Sequence, residues 1–434
     1  MRDAAAGPGE EAPGTGVVPG EPGAGAPEPG WRERAGVAAH GVWRRWRPSV
    51  VAGAGTWLAG LAMYAVVTAV AWIPYQDFAD HTQLDGALLP PPGNPLLAYQ
   101  MWHQWDTVWY VIIADWGYRY DARSVAFFPL YPMLVRTANP VLPGGTFEAA
   151  LLLSALACLA ALIVVHRLAA DLTDPDTARR TVFYLLAFPT GFYLMAAYNE
   201  SLFLALAAGS FYCMRRGRWW WAGGLAALAG ATRMVGVLLA VAFAYEYLRQ
   251  RGFSPRRVWW DAAAIGLIPL GLLGYAWYCA RAFGDPLAFL AAQQNWYRTG
   301  YQPPWTTVWE VGRLIADSPA LFGPDTMRNV INLTTAVAVL ALLVLALVGP
   351  WRIGPESAYL VIFSALIILL PLVNPIRHFY PLSSMWRFAL ECLPVFLVLA
   401  RLGGRPVVDR VYLMTALGLQ GAMIVTFVHS RFVA

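Results

Sequence analysis

The stretch Trp102-His-Gln-Trp-Asp-Thr-Val-Trp-Tyr-Val-Ile-Ile-Ala-Asp-Trp-Gly-Tyr118 sets two carboxylates and four tryptophans directly after the first segment apolar enough to cross a membrane. Around it the chain is hydrocarbon-compatible: 58% of residues are apolar and 13% charged, a membrane composition rather than that of a water-soluble domain. Apolar runs of about 17–25 residues, enough for a bilayer core of roughly 30 Å, recur along the chain. The first covers Val50 to Ile73, so Pro74 to Thr146 becomes the first external loop and contains the quoted stretch. Further runs at Phe147–Ala170, Thr181–Ala197, Ser201–Met214, Trp219–Thr232, Met234–Leu248, Val258–Phe283, Asn329–Val348, Tyr359–Val373, Trp386–Ala400 and Val411–Val428 bring the expectation to about eleven crossings in an all-α polytopic bundle.

Charge sets the orientation. All 31 basic residues are arginines, and they gather in the connections Asp171–Arg180, Arg215–Arg218, Arg249–Arg257, Trp351–Glu356 and Arg401–Arg410. The positive-inside rule makes these cytoplasmic. The first loop, Tyr198–Glu200, Arg233 and the segments Gly284–Met327 and Asn374–Met385 then share the outer face. Arginines spread between apolar runs are topological charge, which speaks against a nucleic-acid partner. Residues 1–48, rich in Gly, Pro, Ala and Glu and ending in Arg44-Arg45-Trp46-Arg47, are expected to be a disordered cytoplasmic tail. Residues 49–434 form the integral membrane domain, whose first span is expected to remain as an uncleaved anchor. Cys158, Cys213, Cys279 and Cys392 all fall in apolar segments without C-x-x-C spacing, so neither a disulfide framework nor a zinc site is indicated.

Read as one helix, the quoted stretch puts Trp102, Trp105, Trp109, Ile112 and Trp116 on one stripe, which suits the membrane interface. Interfacial anchoring accounts for the tryptophans but not for Asp106, because a carboxylate at a low-dielectric boundary is costly without a partner or a task. Asp115 lies nine residues on and, at about 100° per residue, faces the other side of a continuous helix. It either caps the turn at Gly117 or meets substrate from another direction. Beyond Gly117-Tyr118-Arg119-Tyr120, the prolines of Phe127-Phe128-Pro129-Leu130-Tyr131-Pro132 are expected to stop a regular helix and bend the chain.

The limbs on either side of Arg233 are each roughly 14–16 residues, about 21–24 Å of helix, which sinks this guanidinium below the outer surface and requires an anionic partner. Two readings stand side by side: an ion pair with Glu200 in Tyr198-Asn199-Glu200-Ser201, or a phosphate site suited to a guanidinium fork. Arg377, His378 and Arg387 on the same face run against the usual charge bias, which suits either an anionic ligand or snorkelling at the interface. Asp77, Asp80 and His81 read as solvated loop, and no divalent metal or other cofactor is expected. A Gly-rich phosphate loop, an H-E-x-x-H motif and a serine-nucleophile motif are all absent, which disfavours nucleotide-dependent chemistry.

Taken together, Trp105-Asp106, Tyr110, Ile113-Ala114-Asp115, Gly117-Tyr118, Phe127 to Pro132, Tyr198 to Ser201 and Thr232-Arg233 resemble the PIG-V-type mannosyltransferases, the family of the second mannosyltransferase of GPI-anchor synthesis and its bacterial relatives. The resemblance runs from about residue 100 to residue 400 and implies a GT-C-like fold. It further implies transfer of mannose, with inversion, from a polyprenyl-phosphate donor among the membrane lipids to a hydroxyl on an extracytoplasmic lipid or glycan acceptor. On this resemblance Asp106 is the catalytic carboxylate, which would accept the acceptor proton or stabilise the developing oxocarbenium charge, with Asp115 a second candidate. At Asp115 the eukaryotic pattern has glutamate followed by histidine where this chain has Asp115-Trp116. Arg233, Arg377, His378 and Arg387 would meet the donor phosphate, and Trp105, Tyr110, Tyr118, Asn199 and Glu200 the substrates. An Arg-only, Ala/Gly-rich composition fits a bacterial relative, and so a bacterial plasma membrane. The alternatives are a transferase for another polyprenyl-linked sugar and, in a different class, a lipid-linked sugar transporter, against which the gathering of polar residues on one face counts.

Overall fold

In the computed structural model, which describes residues 31–79, 95–298, 300–320, 322–376, 380–431 and 433, the chain is helical. Among the described residues the sole strand-like pairing is an isolated bridge between Arg298 and Ile376. Helix α1 (Trp31–Ala79) starts well ahead of the expected first span, so the last part of the expected tail is helical. The described residues up to Arg47 form one unit, and those from Pro48 onward a second, compact one. Within the latter, the first loop folds into α2 (Asp106–Trp116) and α3 (Leu130–Ala138). Then follow α4 (Thr146–Leu172), α5 (Pro175–Ala187), α6 (Glu200–Arg215), α7 (Trp219–Thr232), α8 (Leu239–Gln250), α9 (Leu270–Phe283), α10 (Ala288–Ala292) and α11 (Pro304–Ala316). The chain ends with α12 (Pro324–Leu347), α13 (Ala358–Val373), α14 (Met385–Ala389), α15 (Leu393–Leu402) and α16 (Pro406–Val428).

Among the described residues the expected eleven crossings are not matched by eleven long helices. Among the described residues five stretches are long and apolar enough to cross a membrane: Gly41–Ile73, Thr146–Leu172, Pro324–Leu347, Pro355–Val373 and Pro406–Val428. The pair Trp260–Leu267 and Leu270–Phe283, bent by 40°, makes a sixth if counted as one broken span. The difference is physical: a uniformly apolar chain hides where the backbone breaks. The expected span Thr181–Ala197 stops at Ala187, because Pro189 lacks an N–H and drives Phe188 into an extended conformation (ψ 145°). The expected span Trp386–Ala400 is likewise split into α14 and α15 by a turn at Leu390–Cys392.

Carbonyls near the ends of α5, α6 and α7 are answered by side chains, as an irregular backbone away from water requires. Gln420, buried on α16, donates from Nε2 to the Leu186 and Phe188 carbonyls at 2.8 and 2.7 Å, just past the end of α5. Ser154 of α4 donates its hydroxyl to the Tyr198 carbonyl at 2.7 Å, and Ser201 returns one to the Ser154 carbonyl at 3.0 Å. The Asn199 side-chain amide donates to the Thr232 carbonyl at 2.9 Å. These bonds pin the start of α6 and the end of α7 to α4. Glu200 and Arg233 therefore lie at one end of a helix pair whose other end carries Arg215, Arg216 and Arg218. The 16 residues of α6 separate the two ends by about 24 Å.

Close helix approach depends on small residues. A Cβ at Gly271 of α9 would be driven into the Ala227 carbonyl of α7, whereas Gly274, on the same helix, has open space. Gly271→Val is therefore expected to cost about 1–3 kcal/mol by overpacking, read as a lower unfolding temperature in detergent, with Gly274→Val close to the parent. Equal melting of the two variants would contradict this packing.

Candidate active site

The site begins where the expected aromatic helix breaks. A 3-10 segment ends at Trp102, and Trp105 takes φ 55°, ψ −120° before Asp106 opens α2. The break interrupts the helical periodicity, so the tryptophan stripe does not form. Trp102 is buried in the core, its indole N–H donating to Thr68 Oγ1 at 2.9 Å, with Phe192 and Phe427 against its ring. Trp109 stacks on Phe127 and meets Trp296 edge-on. Trp105 and Trp116 stay exposed. The prolines of the Phe127–Pro132 stretch also behave differently from expectation: Pro129 precedes α3 and Pro132 sits in its first turn, where no intrahelical N–H is needed.

From Asp106 inward runs a chain of ion pairs. The Asp106 N–H donates to the Tyr198 hydroxyl at 3.2 Å, and Oδ2 accepts from Arg387 Nη2 at 2.8 Å. Arg387 also donates from Nε to Glu200 Oε1 at 3.0 Å, while its Nη2 reaches the same oxygen. Arg233 Nη1 approaches Glu200 Oε1 at 3.0 Å, and Arg233 Nε lies 3.3 Å from Glu391 Oε1. Asn199 Oδ1 accepts from Arg233 Nη1 at 3.4 Å. The Arg387 guanidinium stands over the rings of Tyr193 and Tyr198 at 4.9 and 5.0 Å, adding cation–π attraction.

The three carboxylates differ in exposure. The Asp106 side chain is 25% accessible, against 1% for Glu200 and 2% for Glu391. Asp106 is thus the carboxylate of the three that is open to solvent, and Glu200 is the one that holds both arginines. Buried carboxylates of this kind persist only when paired, since desolvation costs several kcal/mol per ion. Three acids face two arginines, one negative charge too many if all are ionised. The excess falls on Glu391: neither of its oxygens, nor Glu200 Oε2, has a hydrogen-bond partner. Burial pushes the Glu391 carboxyl, which lies outside the five spans, up to about 7.

The structure brings together Asp106, Asn199, Glu200, Arg233 and Arg387, with Tyr110 packed beneath them against Tyr131 and Tyr198. It does not bring in Asp115, which is exposed and accepts from the Thr146 hydroxyl at the start of α4. Nor does it bring in Tyr118, buried in a separate cluster with Tyr275 and Phe128, its hydroxyl donating to the Phe127 carbonyl at 2.9 Å. Arg377, His378, Asp80, His81 and the side chain of Asp77 lie outside the described residues. Of the two readings of Arg233, the ion pair with Glu200 is present. Among the described residues no group of three or more His, Cys, Asp or Glu is placed to hold a metal. A cavity of about 530 Å³ beside α11, lined by Gln302, Glu310, Arg313 and Asp317, includes none of the ion-paired residues. Glu391 was missed in the sequence. An acid four residues after Arg387, inside an apolar run, is the signal that points to it.

Residues 96–257 match the family model described as Mannosyltransferase (PIG-V). The GPI alpha-1,6-mannosyltransferase 2 of Rattus norvegicus is 30% identical over 234 residues, which are 46% of this chain and 47% of that protein. The chain thus matches about half the length of this curated relative. Among solved structures, ArnT from Cupriavidus metallidurans, crystallised with undecaprenyl phosphate, superposes with a TM-score of 0.47 at 14% identity, over 82% of this chain and 62% of that one. The Archaeoglobus fulgidus oligosaccharyltransferase superposes with a TM-score of 0.46 at 12% identity, over 87% and 56%.

The network makes its own stability prediction. Glu200→Gln strips both arginines of a shared counter-charge and is expected to cost about 3–5 kcal/mol, whereas Asp115→Asn, at an exposed hydrogen bond, should cost about 1 kcal/mol or less. Thermal unfolding in detergent compares the two, and equal losses would refute the ranking.

Proposed function

Taking residues 96–257 as a PIG-V mannosyltransferase region, we propose that the chain is a membrane glycosyltransferase that moves a mannosyl group, with inversion, from a polyprenyl-phosphate donor to a hydroxyl of an extracytoplasmic lipid or glycan acceptor. The observation that carries this reading is the placement of Asp106: a partly exposed carboxylate at a helix N-terminus, tied by Arg387 to a buried ion network. Arg387 holds this carboxylate at the mouth of the network, within reach of an acceptor hydroxyl whose proton a general base would take.

In the reaction the bond from the sugar C1 to the donor phosphate oxygen breaks and a bond from C1 to the acceptor oxygen forms. The acceptor proton passes to Asp106, and the lipid phosphate leaves as an anion. A single displacement inverts the anomeric centre. Arg387 holds the base in place, and Arg233 and Arg387 supply the positive charge that the departing phosphate meets. The arginine-rich ends of α6 and α7 lie away from Asp106, which under the positive-inside rule supports an extracytoplasmic site. No nucleotide is called for in this charge scheme.

Purified protein, labelled polyprenyl-phosphate mannose and a crude lipid extract test it. New mannosylated product is expected, and Asp106→Asn should lower turnover by about 10²–10⁴ while membrane insertion and yield stay intact. Near-normal turnover by Asp106→Asn removes the aspartate from the mechanism. Label that moves across vesicles without bond cleavage supports a transporter instead.

A further inference from the structure

Glu391 is the group in the network that the proposed reaction leaves unused. It stands four residues after Arg387, yet Arg387 is turned away from it toward Glu200 and Asp106. The charged partner it reaches is Arg233, at 3.3 Å and without a hydrogen bond. The charged and titratable groups facing it are Arg233 at the end of α7, Glu200 on α6 and Arg387 on α14, with Cys392 next to it in the chain and Asp106 beyond Arg387. With Glu391 ionised, Arg233 is shared between two carboxylates and the network carries one excess negative charge. A second anion arriving at these arginines would then meet repulsion in a poorly solvated place, where like charges cost most.

We propose that Glu391 is a positioning residue that takes up one proton from solvent when the donor phosphodiester binds, so that Arg233 passes from Glu391 to the phosphate. Protonated, Glu391 leaves two arginines against Asp106, Glu200 and the incoming phosphodiester; ionised, it competes for Arg233 and weakens donor binding. The proton count follows from linkage: a ligand that favours the protonated state binds more tightly at low pH, and its affinity falls as pH rises through the titration of the free protein. This deepens the transferase reading and rests on it for the identity of the ligand.

A phosphodiester does not titrate near neutrality, so any pH dependence of its binding belongs to the protein. The test measures the dissociation constant and KM of polyprenyl-phosphate mannose across neutrality, with kcat from the same assays. In the parent, both constants should be flat at low pH and rise by up to about tenfold per pH unit above the Glu391 titration near 7. Glu391→Gln should hold the low-pH value throughout, with kcat still set by Asp106, and Glu391→Asp should restore a pH-dependent KM. A parent with pH-independent donor binding overturns the proposal, even if Glu391→Gln fails to fold. So does a folded Glu391→Gln with the parent's pH dependence. Donor bound with the expected pH dependence but never transferred supports the proton linkage and removes the transferase reading; donor neither bound nor transferred removes both.

Discussion

One buried carboxylate organises this molecule. Glu200 opens α6, where the positive end of the helix dipole favours an anion, and its Oε1 meets guanidiniums from Arg233 and Arg387. Desolvating such an ion is costly unless its partners are held close. Meeting that requirement draws the end of α7 and all of α14 to the start of α6, and Arg387 then brings α2 in through Asp106. The position of the one accessible carboxylate is a consequence of how the inaccessible one is neutralised.

That convergence needs an irregular backbone. Long uninterrupted helices carry charged side chains on their flanks, whereas broken ones present side chains at their ends, pointing into the space between elements. Away from water such breaks survive only where every carbonyl finds a donor. Gln420 of α16, Ser154 of α4 and the Asn199 side chain at the start of α6 are among those donors. The short helices α5 to α7 and α14 to α15 are therefore part of the design of the site.

Much of the site was legible because charge in an apolar chain is conspicuous. Asp106, Glu200, Arg233 and Arg387 stand out against hydrocarbon surroundings, and the length of the limbs around Arg233 already placed it below the surface, with an ion pair to Glu200 as one of two readings. Glu391 escaped because it sat inside what read as one continuous crossing, and the turn that exposes it as a helix-end residue has no strong local marker before Pro394. The helical part of the fold followed from composition, but the helix lengths did not, since hydropathy sees apolar character and not the breaks at Pro189 or Leu390–Cys392. The tryptophan stripe failed for a similar reason: the positive φ of Trp105 resets the helical phase, and no glycine announces it. Asp115 is a case where periodicity was informative, since a residue on the far side of α2 from Asp106 meets Thr146 rather than the ion network.

The most direct measurement is an experimental structure of the protein in a lipid nanodisc with a non-hydrolysable polyprenyl-phosphate mannose. The account expects the sugar C1 in reach of an acceptor oxygen activated by Asp106, reacting atoms about 3–3.5 Å apart, and the phosphate against Arg233 or Arg387. A headgroup seated elsewhere, with the pairs Arg387–Asp106 and Arg233–Glu200 unchanged and closed to it, would contradict the account.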